Sequence, residues 1–172
     1  LGGDTIAGVD DNPPYTYGLS FDAVGDEVDD VGPDRNHGEN IGSKAIFEHI
    51  ASGQTFDGND DYIWTENQVT DPQEFTLSLW FKTSTASGNK IFGFESNQNG
   101  TASANFDRHF YVGTNSSVYF GVNDGTQDVV ASQAAIDDDE WHYVVGVRDD
   151  TANEISLYVD GQFNGTVANA NA

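Results

Sequence analysis

The sequence predicts an all-β fold, with two antiparallel sheets packed face to face, and three observations carry that prediction. Several short segments alternate apolar and polar residues with period two, as half-buried strands do. Asn-Gly or Asp-Gly steps separate them, at 99–100, 124–125, 160–161 and 164–165, where glycine and its partner tolerate the positive φ of a tight hairpin. No segment of helical periodicity is long enough to organise a bundle. Strands of this spacing and alternation imply two packed sheets. A chain of 172 residues buries roughly two-thirds of its unfolded surface, enough for one domain with a real core.

The elements follow in order. Residues Leu1 to Pro14 are rich in Gly, Asp and Pro without periodicity, so 1–14 reads as a linker or flexible arm and 15–172 as the sandwich domain. Tyr17 to Asp22 alternates as a first strand should. Gly25 to Asn40 reads as a long acidic loop containing Pro33 and His37-Gly38. Lys44 to Ile50 is amphipathic and predicts one or two helical turns packed on Ile46, Phe47 and Ile50. Phe75 to Lys82 puts Phe75, Leu77, Leu79 and Phe81 on one face and Trp80 on the other. Lys90 to Glu95, Arg108 to Gly113 and Val118 to Val122 follow, the last with Tyr119 outward. Trp141 to Arg148 and Glu154 to Asp160 close the series, and Asp160-Gly161 reads as a type I′ hairpin turn.

Charge is the most unusual feature. Twenty-nine acidic residues against six basic ones leave a formal net charge of -23. Self-repulsion at that density destabilises a compact state unless counterions screen it, and the Debye length falls to ~3 Å at 1 M salt. Adaptation to a salt-rich milieu and carboxylates serving bound Ca²⁺ both account for it. The first is favoured because the carboxylates are spread along the whole chain. Nucleic acid and anionic membrane surfaces are excluded as partners on either account, since both would be repelled. Cysteine is absent, so no disulfide or thiolate metal site exists. No apolar run approaches the ~20 residues of a membrane span.

Four segments carry a family resemblance. Gly53 to Ile63 (GQTFDGNDDYI) resembles the "alSFDGxdDYI" hairpin of laminin G-like jelly rolls, members of the concanavalin A-like class. Phe75 to Lys82 resembles their "FTisaWvK" strand, Asp139 to Val147 their "gqWHhvavt" strand, and Ile155 to Gly161 matches "islYVDG" throughout. All four stand in family order over about 145 residues. The resemblance implies an extracellular binding or adhesion module without catalytic activity. It also implies a Ca²⁺ site where the first strand enters the "D-x-SGN-x-HG" loop, with Asp22 and Asp30 in the matching places and Asp26 and Asp29 assisting. Pro33-Asp34-Arg35 departs from the small, flexible centre of that loop.

Ligand-binding candidates come from outward alternation. Trp64, Tyr111, Tyr119 and Tyr143 lie on it, with Asn97 and Asn123 in nearby loops. Aromatics beside Asn would suit a cell-surface glycan or protein, although outward tyrosines also follow from β-propensity alone. Sequons stand at Asn99, Asn115 and Asn164. The histidines, at 37, 49, 109 and 142, show no zinc-ligand spacing. Glu95, Glu140 and Glu154 are isolated, so the carboxylate pair of a glycosidase is not expected.

Both ends add expectations. The laminin G-like pattern continues past its "YVDG" hairpin with further strands. Val167 to Asn171 supplies none of them, so the sequence reads as a fragment or as a sandwich closed by a donated strand. Leu1-Gly2-Gly3-Asp4, followed by Asn12-Pro13-Pro14, resembles the segment after the hydrophobic helix of haloarchaeal type IV pilin-like proteins. Two functions remain: a glycan- or surface-binding adhesion module, and a structural subunit that assembles with copies of itself.

Overall fold

The computed structural model describes residues 27–30, 32–33, 35–46, 53–65, 72–86, 90–95, 106–123 and 125–169. The chain divides into two compact units, residues 1–67 with 98–100, and residues 68–97 with 101–172. The expected arm over 1–14 and the first strand over Tyr17 to Asp22 lie outside the described residues. Every regular element described is a strand.

The first unit holds five short strands: β1 (Glu27–Val28), β2 (Gly38–Ile41), β3 (Lys44–Ile46), β4 (Gly53–Thr55) and β5 (Tyr62–Trp64). They form a three-stranded sheet in the order β1-β2-β5 and a two-stranded ribbon β3-β4. Two expectations are corrected here. The loop expected over Gly25 to Asn40 contains β1 and the start of β2, paired antiparallel with Val28 opposite Gly38. Lys44 to Ile46 is not helical but pairs with Gly53 to Thr55, and residues 47–50 lie outside the described residues. A short amphipathic run has little helical stability of its own, so strand pairing decides its conformation.

The second unit is the sandwich. Its strands are β6 (Phe75–Lys82), β7 (Lys90–Glu95), β8 (Phe106–Val112), β9 (Val118–Asn123), β10 (Gln127–Ala131), β11 (Trp141–Asp149), β12 (Glu154–Val159) and β13 (Gln162–Ala168). One sheet runs β10-β9-β8-β7 and the other β13-β12-β11-β6. The sequence reading missed β10 and β13, and the strand series does not close at Asp160. The tip of the β12–β13 hairpin is as expected, with Asp160 at φ 51° and Gly161 at φ 76°, the positive pair of a type I′ turn.

The core lies between these two sheets. Phe110, Val118, Phe120, Val122, Val144, Ile155 and Leu157 are fully buried, with Phe81, Val112, Val130, Ile136 and Val159 nearly so. Phe120 reaches across the sandwich onto the backbone of Gly146, where an added Cβ would stand 2.5 Å from its ring. Only glycine leaves room for that approach. The same ring meets Phe75 edge-on at 6.3 Å.

A β-bulge sets which side chains of β13 face the core. Leu157 is opposite Gly165 but Tyr158 is opposite Phe163, leaving Asn164 unmatched. The extra residue flips the alternation, as bulges do. The two-residue turn sets Phe163 opposite Tyr158 and facing out, and beyond the bulge Gly165 and Val167 face in.

Candidate ligand-binding face

Strand parity builds the site. On the β13-β12-β11-β6 sheet, Leu79, Val144, Leu157 and Val159 point into the core. Their neighbours in sequence must point out. Those outward positions are Trp80 on β6, Trp141 and Tyr143 on β11, Tyr158 on β12 and Phe163 on β13. Tyr143 lies opposite Trp80, and their rings are 5.1 Å apart with a tilt of 35°. Tyr158 and Phe163 meet edge to face at 5.5 Å. Val145, opposite Tyr158 and one outward position along from Tyr143, joins the two pairs. The result is an aromatic stripe crossing all four strands, open to solvent at both ends: Trp80 is 41% exposed and Phe163 55%.

The backbone beneath the stripe is held by side chains. Asp160 Oδ1 accepts the Tyr143 N–H at 2.8 Å, and the Asp160 N–H donates to the Tyr143 carbonyl at 2.8 Å. Asp160 Oδ2 stands 2.8 Å from His142 Nδ1, and Asp138 Oδ1 is 3.1 Å from His142 Nε2. A carboxylate stands on each ring nitrogen, which favours the protonated imidazole. Burial opposes that charge, yet the bonds to Asp160 and Asp138 outweigh it and raise the His142 pKa. The bond from His142, followed by the Glu140 N–H, lowers the Asp138 pKa. This clamp unites two of the recognised motifs, His142 from "WH" and Asp160 from "YVDG". On β13 the bulge is tied down by Asn164, whose Oδ1 accepts the Gln133 N–H at 2.9 Å. Gln133 Nε2 donates in turn to the Asn164 carbonyl at 2.8 Å.

The sequence-expected ligand residues do not converge. Tyr143 belongs to the stripe. Tyr111 and Tyr119 stack on each other at 4.8 Å and 8° on the outer face of the other sheet, and burial raises the Tyr111 pKa. Trp64 sits half-buried on β5 in the first unit. Asn123 Oδ1 accepts the Gly125 N–H at 3.1 Å, closing the β9–β10 turn. Asn97 and the sequon Asn99 lie outside the described residues. Of the other sequons, Asn115 is exposed in the turn before β9, while Asn164 donates its Nδ2 to the Gln162 carbonyl at 3.0 Å. Sequence reasoning missed Trp80, Tyr158 and Phe163 as a group. Strand alternation marks Trp80 and Tyr158 as outward, and the two-residue turn at Asp160-Gly161 sets Phe163 opposite Tyr158.

The expected metal ligands are divided. Asp22 and Asp26 lie outside the described residues. Asp30 is a loop clamp: its Oδ1 accepts the Gly32 N–H at 2.7 Å and its Oδ2 the Asn36 N–H at 2.8 Å, and these bonds lower its pKa. Asp29 groups with Glu27 and His37, Asp29 Oδ1 being 3.2 Å from His37 Nδ1. An imidazole nitrogen suits Ca²⁺ poorly, because Ca²⁺ takes oxygen ligands. Asp57, Asp60 and Asp61 form a second group, and that set is all oxygen.

Glu140 stands just before β11 and Glu154 begins β12, so they mark opposite ends of an antiparallel pair. A strand of that length separates them by roughly 25 Å, well beyond the ~5–9.5 Å of a glycosidase pair. The side chain of Glu95 lies outside the described residues.

Comparison with known proteins bears on the fold. A family model described as the concanavalin A-like lectin/glucanases superfamily matches residues 57–172. No curated protein sequence matches the chain. Among solved structures, the mouse laminin α1 chain, domains LG4-5, is similar at 19% identity and TM-score 0.48, covering 61% of this chain and 26% of that one. A native heptameric SAP-like pentraxin from Limulus polyphemus is similar at 18% identity and TM-score 0.42, covering 56% and 44%. The Ruminococcus gnavus IT-sialidase CBM40 bound to α2,3-sialyllactose is similar at 17% identity and TM-score 0.44, covering 56% and 53%. The chain thus spans between about a quarter and about half of these three solved chains. With four motifs in order, two packed antiparallel sheets and a family match over most of its length, the chain belongs to the concanavalin A-like lectin/glucanase superfamily as a laminin G-like domain.

Proposed function

We propose that the chain is a glycan-binding module of an extracellular adhesion protein, and that it binds through the aromatic face of the β6–β13 sheet. The stripe of Trp80, Tyr143, Tyr158 and Phe163 carries this reading. Scattered exposed apolar residues need no explanation, but a contiguous patch of rings marks an interaction site. Aromatic rings offer flat apolar area to the C–H faces of a sugar at low entropic cost. Titrating Trp80→Ala and the parent with a soluble glycan found on an array tests it. Binding is expected to weaken at least tenfold in the variant, and equal affinities would overturn the assignment.

The charge of -23 supports a salt-rich setting, in which the sandwich melts higher at 2 M than at 0.1 M NaCl; a melting temperature that falls with salt would refute it. The pilin-like resemblance of the N-terminus supports a place on a surface filament. Calcium is best supported at Asp57, Asp60 and Asp61, whose oxygens suit that ion. A second reading, assembly with copies of itself, is favoured by β13, which pairs only with β12 among the described residues and leaves a seven-residue edge. Sedimentation in 2 M salt separates the two, since self-assembly requires oligomers without glycan.

A further inference from the structure

We infer that the aromatic face takes an uncharged, extended glycan chain that lies across the strands and engages about three sugar units. The inference rests on the glycan-binding reading and adds the length, direction and charge class of the ligand.

Length and direction follow from the register. Trp80 is on the edge strand β6 and Phe163 on the opposite edge strand β13, with Tyr143 and Tyr158 on the two strands between them. Three strand-to-strand steps span roughly 15 Å, the length of about three pyranose rings end to end. The rings group as two close pairs, at 5.1 Å and 5.5 Å. Across the central step, Tyr143 and Tyr158 sit diagonally, at the ~7–8 Å typical of such neighbours. A single sugar covers one pair. A chain is needed to reach both.

The charge class follows from the acids at both ends of the face. Beside the hairpin end stand Asp138, Asp139, Glu140 and Asp160, all exposed. At the far end are Asp149 and Glu154, opposite each other in register, and Glu74, which accepts from Thr151 Oγ1 at 3.3 Å. Among the described residues the basic groups at this end are Lys82, 3.7 Å from Asp139, and His142, between Asp138 and Asp160, which leaves Glu140 as the acid there with no basic partner among them. Arg148 is turned into the core and 1% exposed. A sialylated, sulfated or uronate chain laid along the stripe runs beside the hairpin-end carboxylates and meets no guanidinium to pair with. Between the acids the face is hydroxyl and ring: Thr76 and Ser78 on β6, and Thr166 on β13 with its Oγ1 3.2 Å from Ser156 Oγ.

The test is an array of linear glycans one to six units long, in neutral, sulfated, uronate and amino-sugar series, read with the whole chain at 0.15 M and 2 M NaCl. Affinity within the neutral series is expected to rise at least tenfold from one unit to three and then level off. Anionic chains of equal length should bind at least tenfold more weakly at 0.15 M, with the gap narrowing at 2 M. Phe163→Ala should remove the gain between two and three units. Affinity independent of length, tighter binding of an anionic or amino-sugar series, or an unaltered length profile in Phe163→Ala would overturn the inference while leaving glycan binding intact. An array blank in every series would overturn both.

Discussion

The β13-β12-β11-β6 sheet has two faces of opposite design. Toward the core it presents mostly branched aliphatics, with Phe75 and Phe81 from β6 and the glycines Gly146 and Gly165, and Val144, Ile155 and Leu157 are fully buried. Toward solvent it presents its largest rings, Trp80 and Phe163 among them, 41% and 55% exposed. Burial rewards apolar area, so a fold optimised for stability alone would place those rings inside. The outer face of the other sheet sharpens the contrast. There Tyr111 and Tyr119 lie nearly parallel at 4.8 Å and cover each other. Paired rings on a sheet are ordinary cross-strand packing. Rings open at both ends of a four-strand stripe are not covered in that way.

That contrast is breakable by substitution, and the largest effect belongs to the inner face. Phe120→Ala empties the space over Gly146 and is expected to cost about 3–5 kcal/mol in chemical denaturation. Trp80→Ala should change stability by no more than about 0.5 kcal/mol while weakening glycan binding about 10- to 100-fold, or ~1.4–2.8 kcal/mol by titration calorimetry. Tyr119→Ala is the control for position, and it should leave binding as it was. Gly146→Ala puts a methyl group into the Phe120 ring and should destabilise by about 1–3 kcal/mol, with binding unaffected once the protein is folded.

The smallest effect is the pH dependence of the His142 clamp. The His142 pKa is raised above 6.5, so its stabilisation is complete below about pH 6.5 and is lost as pH rises through the raised value. Asp138 is lowered from 3.8, so its share is present above that pH and is lost as pH falls through the lowered value. The clamp is therefore at full strength between roughly pH 4 and 6.5. The melting-temperature difference between the parent and His142→Gln should be greatest near pH 5–6 and shrink above pH 8. A difference constant across that range would show that no linked protonation of His142 occurs within it, and would sink the clamp's pH dependence.

Much of the sandwich was legible in advance. Period-two runs located β6, β7, β8, β9, β11 and β12, and Asp160-Gly161 announced its turn, because alternation and positive φ are local properties. Strand β10 (QDVVA) was missed because its apolar pair Val129-Val130 breaks alternation. Strand β13 was missed because Asn164-Gly165 reads as a turn when it is in fact a bulge inside the strand. The amphipathic run from Lys44 misled because helix and strand both accommodate three apolar residues there, and the partner at Gly53–Thr55 chose. At the candidate site, Tyr143 was named in advance, but it was grouped with Tyr111, Tyr119 and Trp64. Alternation says that a ring points outward and not which sheet it is on.

The sequence alone determined the fold class, the family motifs, the inward and outward faces of the long strands, and the net charge of -23. Each of these depends on neighbours in the chain or on composition. The tertiary structure decided which outward rings share a face, through the registers of β6 with β11, β11 with β12 and β12 with β13. Those pairings join residues up to 83 positions apart in sequence, Trp80 and Phe163. It also decided, through one bulge at Asn164, that Gly165 and Val167 face the core, since a single unmatched residue reverses every side chain beyond it.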